Sequence, residues 1–467
     1  MMHKKILAGI IVVIVIAAAL AVGWQLTQNA AEKRTIKMGL VAPISSSSIG
    51  QDMNRAAMLA VKQINAAGGI RVDDWGTNAT IELITADTVD DSPSNAVPAV
   101  DRIVTSEKVD LLIGGYSSAG TLADQVTPIK QHVPFIITGA STNLVTRRGP
   151  QGDYGGLPAN DTRRIEGEDA AGMEYMFHYC TTTYDYSKTV VDFFATEMKP
   201  LLESTYNFSS TRPFRLAILY RNDAFGQGVF AASKYWIQQE NLPIELVATA
   251  YWTAGTTDFH EYLLTAKTAQ PDAVFVVENP DKTPLVITQG INDVGLKTVY
   301  IAVENNEDPA FYSGLKETGQ SQLLESKFSP YAGAYLPLVV PYVTAYKEEY
   351  DGTVPGMMGA DTYDAVYIAK AAIENAGTVD KTAVKNALQN LSLDPMLILT
   401  ESCKIEFNSG TNYHEIGPIT FIEQLEYDSA LGECRPQIVW TPPNAPTLTS
   451  IRQANFTLPE NYEPSSS

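Results

Sequence analysis

The chain has 467 residues, 45% of them hydrophobic, which is enough to bury a large core in two or three domains. A formal net charge of −20 with no basic stripe excludes a nucleic-acid binder, because nothing is placed to neutralise a run of phosphates. Three cysteines, with no CxxC pair and no Cys/His cluster, point to no metal site, and no cofactor is expected.

The N-terminus reads as a targeting or anchoring segment. Lys4 and Lys5 precede an uncharged run from Ile6 to Gly23. Its eighteen residues reach roughly 27 Å as a helix, marginal for a bilayer core. Ala19-Leu20-Ala21 offers a signal cleavage site, so a cleaved leader and an uncleaved single-span anchor both fit. Basic residues ahead of the run favour the rest of the chain outside the cell membrane. No cysteine follows the run, which argues against a lipoprotein anchor. Five Asn-x-Ser/Thr triplets, at Asn78, Asn160, Asn207, Asn390 and Asn455, accord with export, although such triplets also arise by chance.

A polar linker leads to a first strand, Ile36 to Val41, and then to a loop, Ile44–Gly50, with four consecutive serines. A helix is expected from Gln51 to Ala67. Met53, Ala57, Ala60 and Ile64 fall at helical spacing, and Gly68-Gly69 stops it. A second strand, Thr80 to Ala86, ends at Asp87, and Pro93-Ser94 opens a helix to about Thr105. Two short apolar runs follow, Leu111–Ile113 and Phe135–Ile137, flanking a helix-compatible segment, Ala119 to Gln131. Strand alternating with amphipathic helix predicts a parallel sheet with right-handed crossovers. Ligands bind at the carboxyl edge of such sheets. Ser117, Ser118, Ser141 and Thr142 would line that edge beside freed backbone N–H groups, an arrangement able to hold a carboxylate. The plainer alternative is that they are turn and helix-cap residues.

From Arg147 to about Glu168 the pattern fails, and a long surface loop between two lobes is expected there. A second α/β unit follows. Its strands are read at Arg215–Tyr220, Glu245–Ala250, Ala273–Val277 and Thr298–Ala302, with helices near Lys188–Glu203, Asp258–Ala269 and Thr283–Val294. Further helices are expected at Tyr342 to Tyr350 and Thr362 to Asn375, then a strand-like tail from Cys403. Cys403 and Cys434 are candidates for a bridge, leaving Cys180 over. Residues beyond about Thr449 are expected outside the core. The chain therefore divides into a leader and linker (1–34), a first lobe (35–180, with an inserted loop at about 147–168) and a second lobe (181–330). A return to the first lobe (331–400), a second-lobe return and tail (401–448) and an extension (449–467) complete it.

At this point the chain resembles the type I periplasmic binding proteins, in particular the branched-chain amino-acid receptors of ABC transporters. The residues that carry the resemblance are Ile36-Lys37-Met38-Gly39 with Pro43, Ile49-Gly50-Gln51-Asp52, and Ile64 through Ile70. Ile113-Gly114-Gly115 with Ser117-Ser118, Phe225-Gly226-Gln227-Gly228 and Asp361 through Val366 complete the set. The resemblance implies an α/β fold of two similar lobes, each a parallel sheet flanked by helices, joined by hinge strands and closing on a small ligand. It implies that Ser117-Ser118 and Ala140-Ser141-Thr142 hold a ligand carboxylate, that Glu304 pairs with an α-ammonium, and that Tyr116 and Ile49 lie beside the ligand. Phe225 stands where many members carry Tyr. Glu278-Asn279-Pro280 departs from the Gly-Tyr-rich second-lobe loop of the family, so the side-chain pocket is not read. The expected partners are an amino acid-like ligand, ABC permease subunits and, through the N-terminal segment, the membrane; a monomer is expected. The alternative ligands are an amide, urea or an aromatic acid, and the alternative role is a sensing ectodomain. No Gly-x-Ser-x-Gly elbow, P-loop or GxGxxG fingerprint supports an enzyme.

Overall fold

A computed structural model of the chain describes residues 34–407, 413–443, 445 and 451–465. The expected leader, save Arg34, lies outside the described residues. None of the described helices is long and apolar enough to cross a membrane.

The strand signals resolve into two sheets. The first has the order β2-β3-β1-β4-β5-β6, with β1 Thr35–Ala42, β2 Ile70–Val72, β3 Thr77–Asp87, β4 Leu111–Gly114, β5 Phe135–Ile137 and β6 Met176–His178. All neighbours are parallel except the β2–β3 pair. β4 and β5 are short and wholly apolar because helices cover both faces of the sheet. On one face the helices Ser48–Ala66 and Met357–Ala376 pack together over Met38, Leu40, Leu111 and Ile113. The opposite core holds Val41, Leu112, Phe135 and Ile137 beneath the helix Pro93–Asp101.

The second sheet has the order β13-β12-β11-β10-β9-β7-β8, with β7 Phe214–Arg221, β8 Ile244–Trp252, β9 Ala273–Val277, β10 Val299–Ala302 and β11 Leu323–Ser326 parallel. An antiparallel hairpin, β12 Phe421–Asp428 and β13 Glu433–Trp440, extends it. Its two cores lie under the helices Thr183–Phe193 and Ala224–Gln239 on one face, and under His260–Thr268, Thr283–Thr288 and Pro309–Leu315 on the other.

The chain crosses between the lobes three times: after β6, after β11 and just before β12. Residues Ile405, Phe407, Ile416 and Ile419 still pack in the first lobe's core, so the return to the second sheet comes at Phe421 and not at 401. The segment beyond Thr449 is not an unpacked extension. Phe456 and Tyr462 are buried in the second lobe, Phe456 edge-on to Phe193 at 5.2 Å, because the aromatic face beside the helix Thr183–Phe193 would otherwise meet water. Ser465 donates to Asp272 at 2.7 Å, and Arg212 closes on the same carboxylate at 2.8 and 2.9 Å. The candidate bridge between Cys403 and Cys434 does not form. Cys403 is exposed, and Cys434 is buried with its Sγ 3.1 Å from the Lys316 carbonyl. The irregular stretch after Arg147 carries 3-10 turns at Pro150–Gly156 and Gly167–Tyr175, with the Arg164 guanidinium stacked on Tyr154 at 3.4 Å. β2, β6, β11 and the helices Pro309–Leu315 and Lys381–Gln389 escaped the sequence reading; strands of three or four residues leave too short a pattern to recognise.

Candidate functional site

Parallel strands end in loops, and the carboxyl ends of both sheets face one another across a cleft. An inter-lobe cavity of about 240 Å³ lies there. On the first-lobe wall, β4 ends in Gly114-Gly115. Gly114 adopts φ +101°, and a Cβ on it would sit 2.2 Å from the Val41 carbonyl oxygen. This turn throws Tyr116, Ser117 and Ser118 into the cavity, beside Gly139 and Ser141 from the loop after β5. Ser117 caps the helix Ser118–Asp124: its Oγ accepts from the Gly120 N–H at 3.0 Å and donates to the Asp91 carbonyl at 3.2 Å. Its own N–H donates to the Asp91 carboxylate. Capping and cavity lining therefore coincide at Ser117. Ser118, almost fully buried, keeps an Oγ with no hydrogen-bond partner.

Two of the expected residues turn away from the cavity lining. The buried Ala140 offers its carbonyl to His178 Nε2 at 2.7 Å, and Gly139 takes its place at the wall. Thr142 lies outside the lining, and its Oγ1 accepts from the Leu144 N–H at 3.4 Å. Burial pulls His178 down to about 3, so it stays a neutral donor in the hinge.

On the second-lobe wall, Glu304 opens the 3-10 turn that follows β10 and is only 1% exposed. Glu304 lines the cavity, and its buried Oε2 has no hydrogen bond and lies 3.8 Å from Lys327 Nζ. Lys327 itself is fully buried and sits closer to Asp361, at 2.9 Å. Burial disfavours the ammonium, but Asp361 and Glu304 outweigh it and keep Lys327 charged. For Glu304, burial raises the carboxyl above its ordinary range, against Lys327 and the Thr181 hydroxyl, which hold it down. Burial likewise pushes the Asp361 carboxyl well above its ordinary range, against the Lys327 ammonium that holds it down. Phe225 also lines the cavity, with its ring edge-on to Tyr186 at 6.2 Å. Ile49 lies one step away, in an adjoining depression that shares Tyr116, Asp91 and Asn279.

Sequence reasoning missed four polar residues here. Arg221, at the end of β7, faces the cavity, with Nε 2.5 Å from Asp223 and Nη1 3.1 Å from Glu278. Those carboxylates outweigh its burial and raise its pKa further. Asp91 is buried in the left-handed region at φ +58° and keeps one carboxylate oxygen without a hydrogen bond. Asn279 and Asn305 join at 3.2 Å, and the Tyr116 hydroxyl reaches Asn279 across the cleft at 3.2 Å. The available signal was positional: each of these residues lies at or just beyond the carboxyl end of a parallel strand, the criterion that picked out Ser117.

Two α/β lobes, three crossings and a polar cavity between facing strand ends are the architecture of a two-lobed solute-binding protein. The chain belongs to the periplasmic binding protein family, whose model matches residues 35–403. Members of this family bind small-molecule solutes, work with ABC transporter permeases and are not enzymes. Among its relatives, Leu/Ile/Val-binding protein homolog 7 of Brucella suis biovar 1 is 22% identical over 387 residues, 80% of this chain and 86% of that protein. The fold is shared with a leucine-binding protein from Thermotoga maritima (TM-score 0.66, 17% identity, 87% of this chain and 99% of that one). It is shared too with a branched-chain amino-acid substrate-binding protein from Streptococcus pneumoniae in complex with isoleucine (TM-score 0.66, 19% identity, 87% and 100%). A solute-binding protein from Rhodopseudomonas palustris in complex with 4-hydroxybenzoate is equally similar in shape (TM-score 0.68, 15% identity, 90% and 100%).

Proposed function

We propose that this protein is the extracytoplasmic receptor of an ABC importer, tethered or exported through its N-terminal segment, and that it captures an amino acid-like ligand between its lobes. The observation that carries the reading is the buried Glu304 carboxylate at the cavity wall, with one oxygen free of hydrogen bonds. A buried acid with unused acceptor capacity suits an α-ammonium through charge-assisted hydrogen bonds. Ser118, Ser141 and the Arg221 guanidinium supply donors for a carboxylate, and Phe225, Tyr116 and Met358 supply apolar surface. Closure excludes water and strengthens each polar contact. The Rhodopseudomonas neighbour's ligand is an aromatic acid, which has no ammonium for Glu304 to meet.

Thermal melts with amino acids, urea, short amides and aromatic acids test the reading. A ligand at about 100 times its Kd adds roughly 2.7 kcal/mol to a folded state that alone binds it. An amino acid should raise the Tm, and Glu304→Gln should abolish the shift. A shift produced only by uncharged amides or aromatic acids would sink the role of Glu304.

A further inference from the structure

Whatever binds between the lobes meets an acid on each wall. Glu304 projects from the second lobe and Asp91 from the first, and each is at least nine-tenths buried with one oxygen lacking a hydrogen bond. Two further acids, Asp90 and Asp223, line the same cavity, where among the described lining residues the cation is Arg221, already paired with Asp223 and Glu278. A neutral zwitterion would satisfy Glu304 and leave Asp91 buried without a countercharge, which is costly. The Asp91 carboxylate also takes the Ser117 N–H, one of the donors a ligand carboxylate would otherwise use at this wall. That moves the negative end of a ligand toward Arg221.

On the reading that the ligand is an amino acid, we infer that this cleft selects one with a second cationic group, a basic amino acid, whose side-chain cation is held by Asp91. The α-ammonium then faces Glu304 and the α-carboxylate faces Arg221. A ligand cation beside Asp91 also favours the ionised carboxylate over the protonated form that burial promotes.

Titration calorimetry on the full chain would compare lysine, arginine, leucine, glutamate, 4-hydroxybenzoate and 1,5-diaminopentane. Lysine or arginine should bind at least tenfold more tightly than leucine, and Asp91→Asn should narrow that ratio. Asn keeps an acceptor for the Ser117 N–H; should the variant still fail to fold, the salt dependence of the intact protein decides. Lysine binding should weaken with salt more steeply than leucine binding. Leucine binding as tightly as lysine, or glutamate binding best, would overturn the inference and leave the amino-acid reading standing. Binding of 4-hydroxybenzoate alone would overturn both. A diamine equal to lysine would uphold the paired acids and overturn the amino-acid reading. No binding by any of the six would overturn the inference.

Discussion

Lys327 shows how much rests on single charges in this cleft. It is buried between Asp361 and Glu304, so replacing it with Met leaves two carboxyl groups in low dielectric without their cation. Breaking a buried pair in this way typically costs about 3–5 kcal/mol. Lys327→Met should lower the denaturation midpoint accordingly, whereas Glu304→Gln should lose ligand binding with far less loss of stability, since Lys327 keeps Asp361. Urea unfolding of the two variants separates these outcomes. The cavity residues legible in sequence were Ser117 and Ser118, announced by the Gly114-Gly115 turn, and Ser141, while the family resemblance added Tyr116, Phe225 and Glu304. Arg221 and Asp91 were not, because a charged residue in a loop looks solvated until the opposite lobe covers it. Thr142 was expected at the ligand from its place at the carboxyl edge of the sheet, and Ala140 from the family resemblance. The backbone turns both away from the cavity lining.

Elements are tied by a few buried groups whose chemistry sets their stability. Asp52, on the helix Ser48–Ala66, reaches the start of the helix Met357–Ala376. It accepts from the Gly356 and Gly359 N–H groups at 3.1 and 2.7 Å and from the Tyr346 hydroxyl at 2.7 Å. It thus serves as the N-terminal cap of a helix other than its own. A Cβ at Gly359 would lie 2.4 Å from the Asp52 carboxylate, so Gly359→Ala should push that cap aside and lower the Tm. Burial raises Asp52 to about 7, from an ordinary 3.8, despite the bonds from Tyr346 and the two glycines. The folded state therefore keeps a proton that the unfolded chain has lost between those values. Its contribution to stability is greatest in acid and falls as pH rises through about 7. Asp52→Asn cannot ionise, so between pH 4.5 and pH 8 its ΔG of unfolding should gain roughly 1 kcal/mol or more relative to the wild type. Paired denaturant titrations at the two pH values check this. The long helices and apolar strands behind this tie were readable from periodicity. The pairing of the helix Ser48–Ala66 with one three hundred residues later was not, because tertiary contact leaves no local pattern.

At the scale of the whole molecule, the two lobes are joined by hydrogen bonds that span the cleft. Tyr116 meets Asn279 at 3.2 Å and Ser48 meets Asp308 at 3.4 Å, each joining one lobe to the other. Asn279→Ala should shift the ligand-free ensemble toward open forms, visible as a larger radius of gyration in solution scattering that shrinks again when ligand is added. The two-lobe plan itself was legible because the α/β alternation occurs twice. The point of the last crossing was misplaced by about twenty residues, because the first lobe recruits Ile405, Phe407, Ile416 and Ile419, which belong to no helix or named strand. The anchored tail has a further use. Asp272, which holds Ser465, stands at the start of β9, while Glu278 at its other end borders the cleft, roughly 20 Å away at the usual rise of a strand. Thr35 likewise begins β1 at the edge of the first sheet remote from the cleft. The two positions thus mark the outer poles of opposite lobes. A donor dye at one and an acceptor at the other would turn capture of solute into a change in energy transfer, making the protein a reagentless optical sensor without touching a residue that contacts ligand.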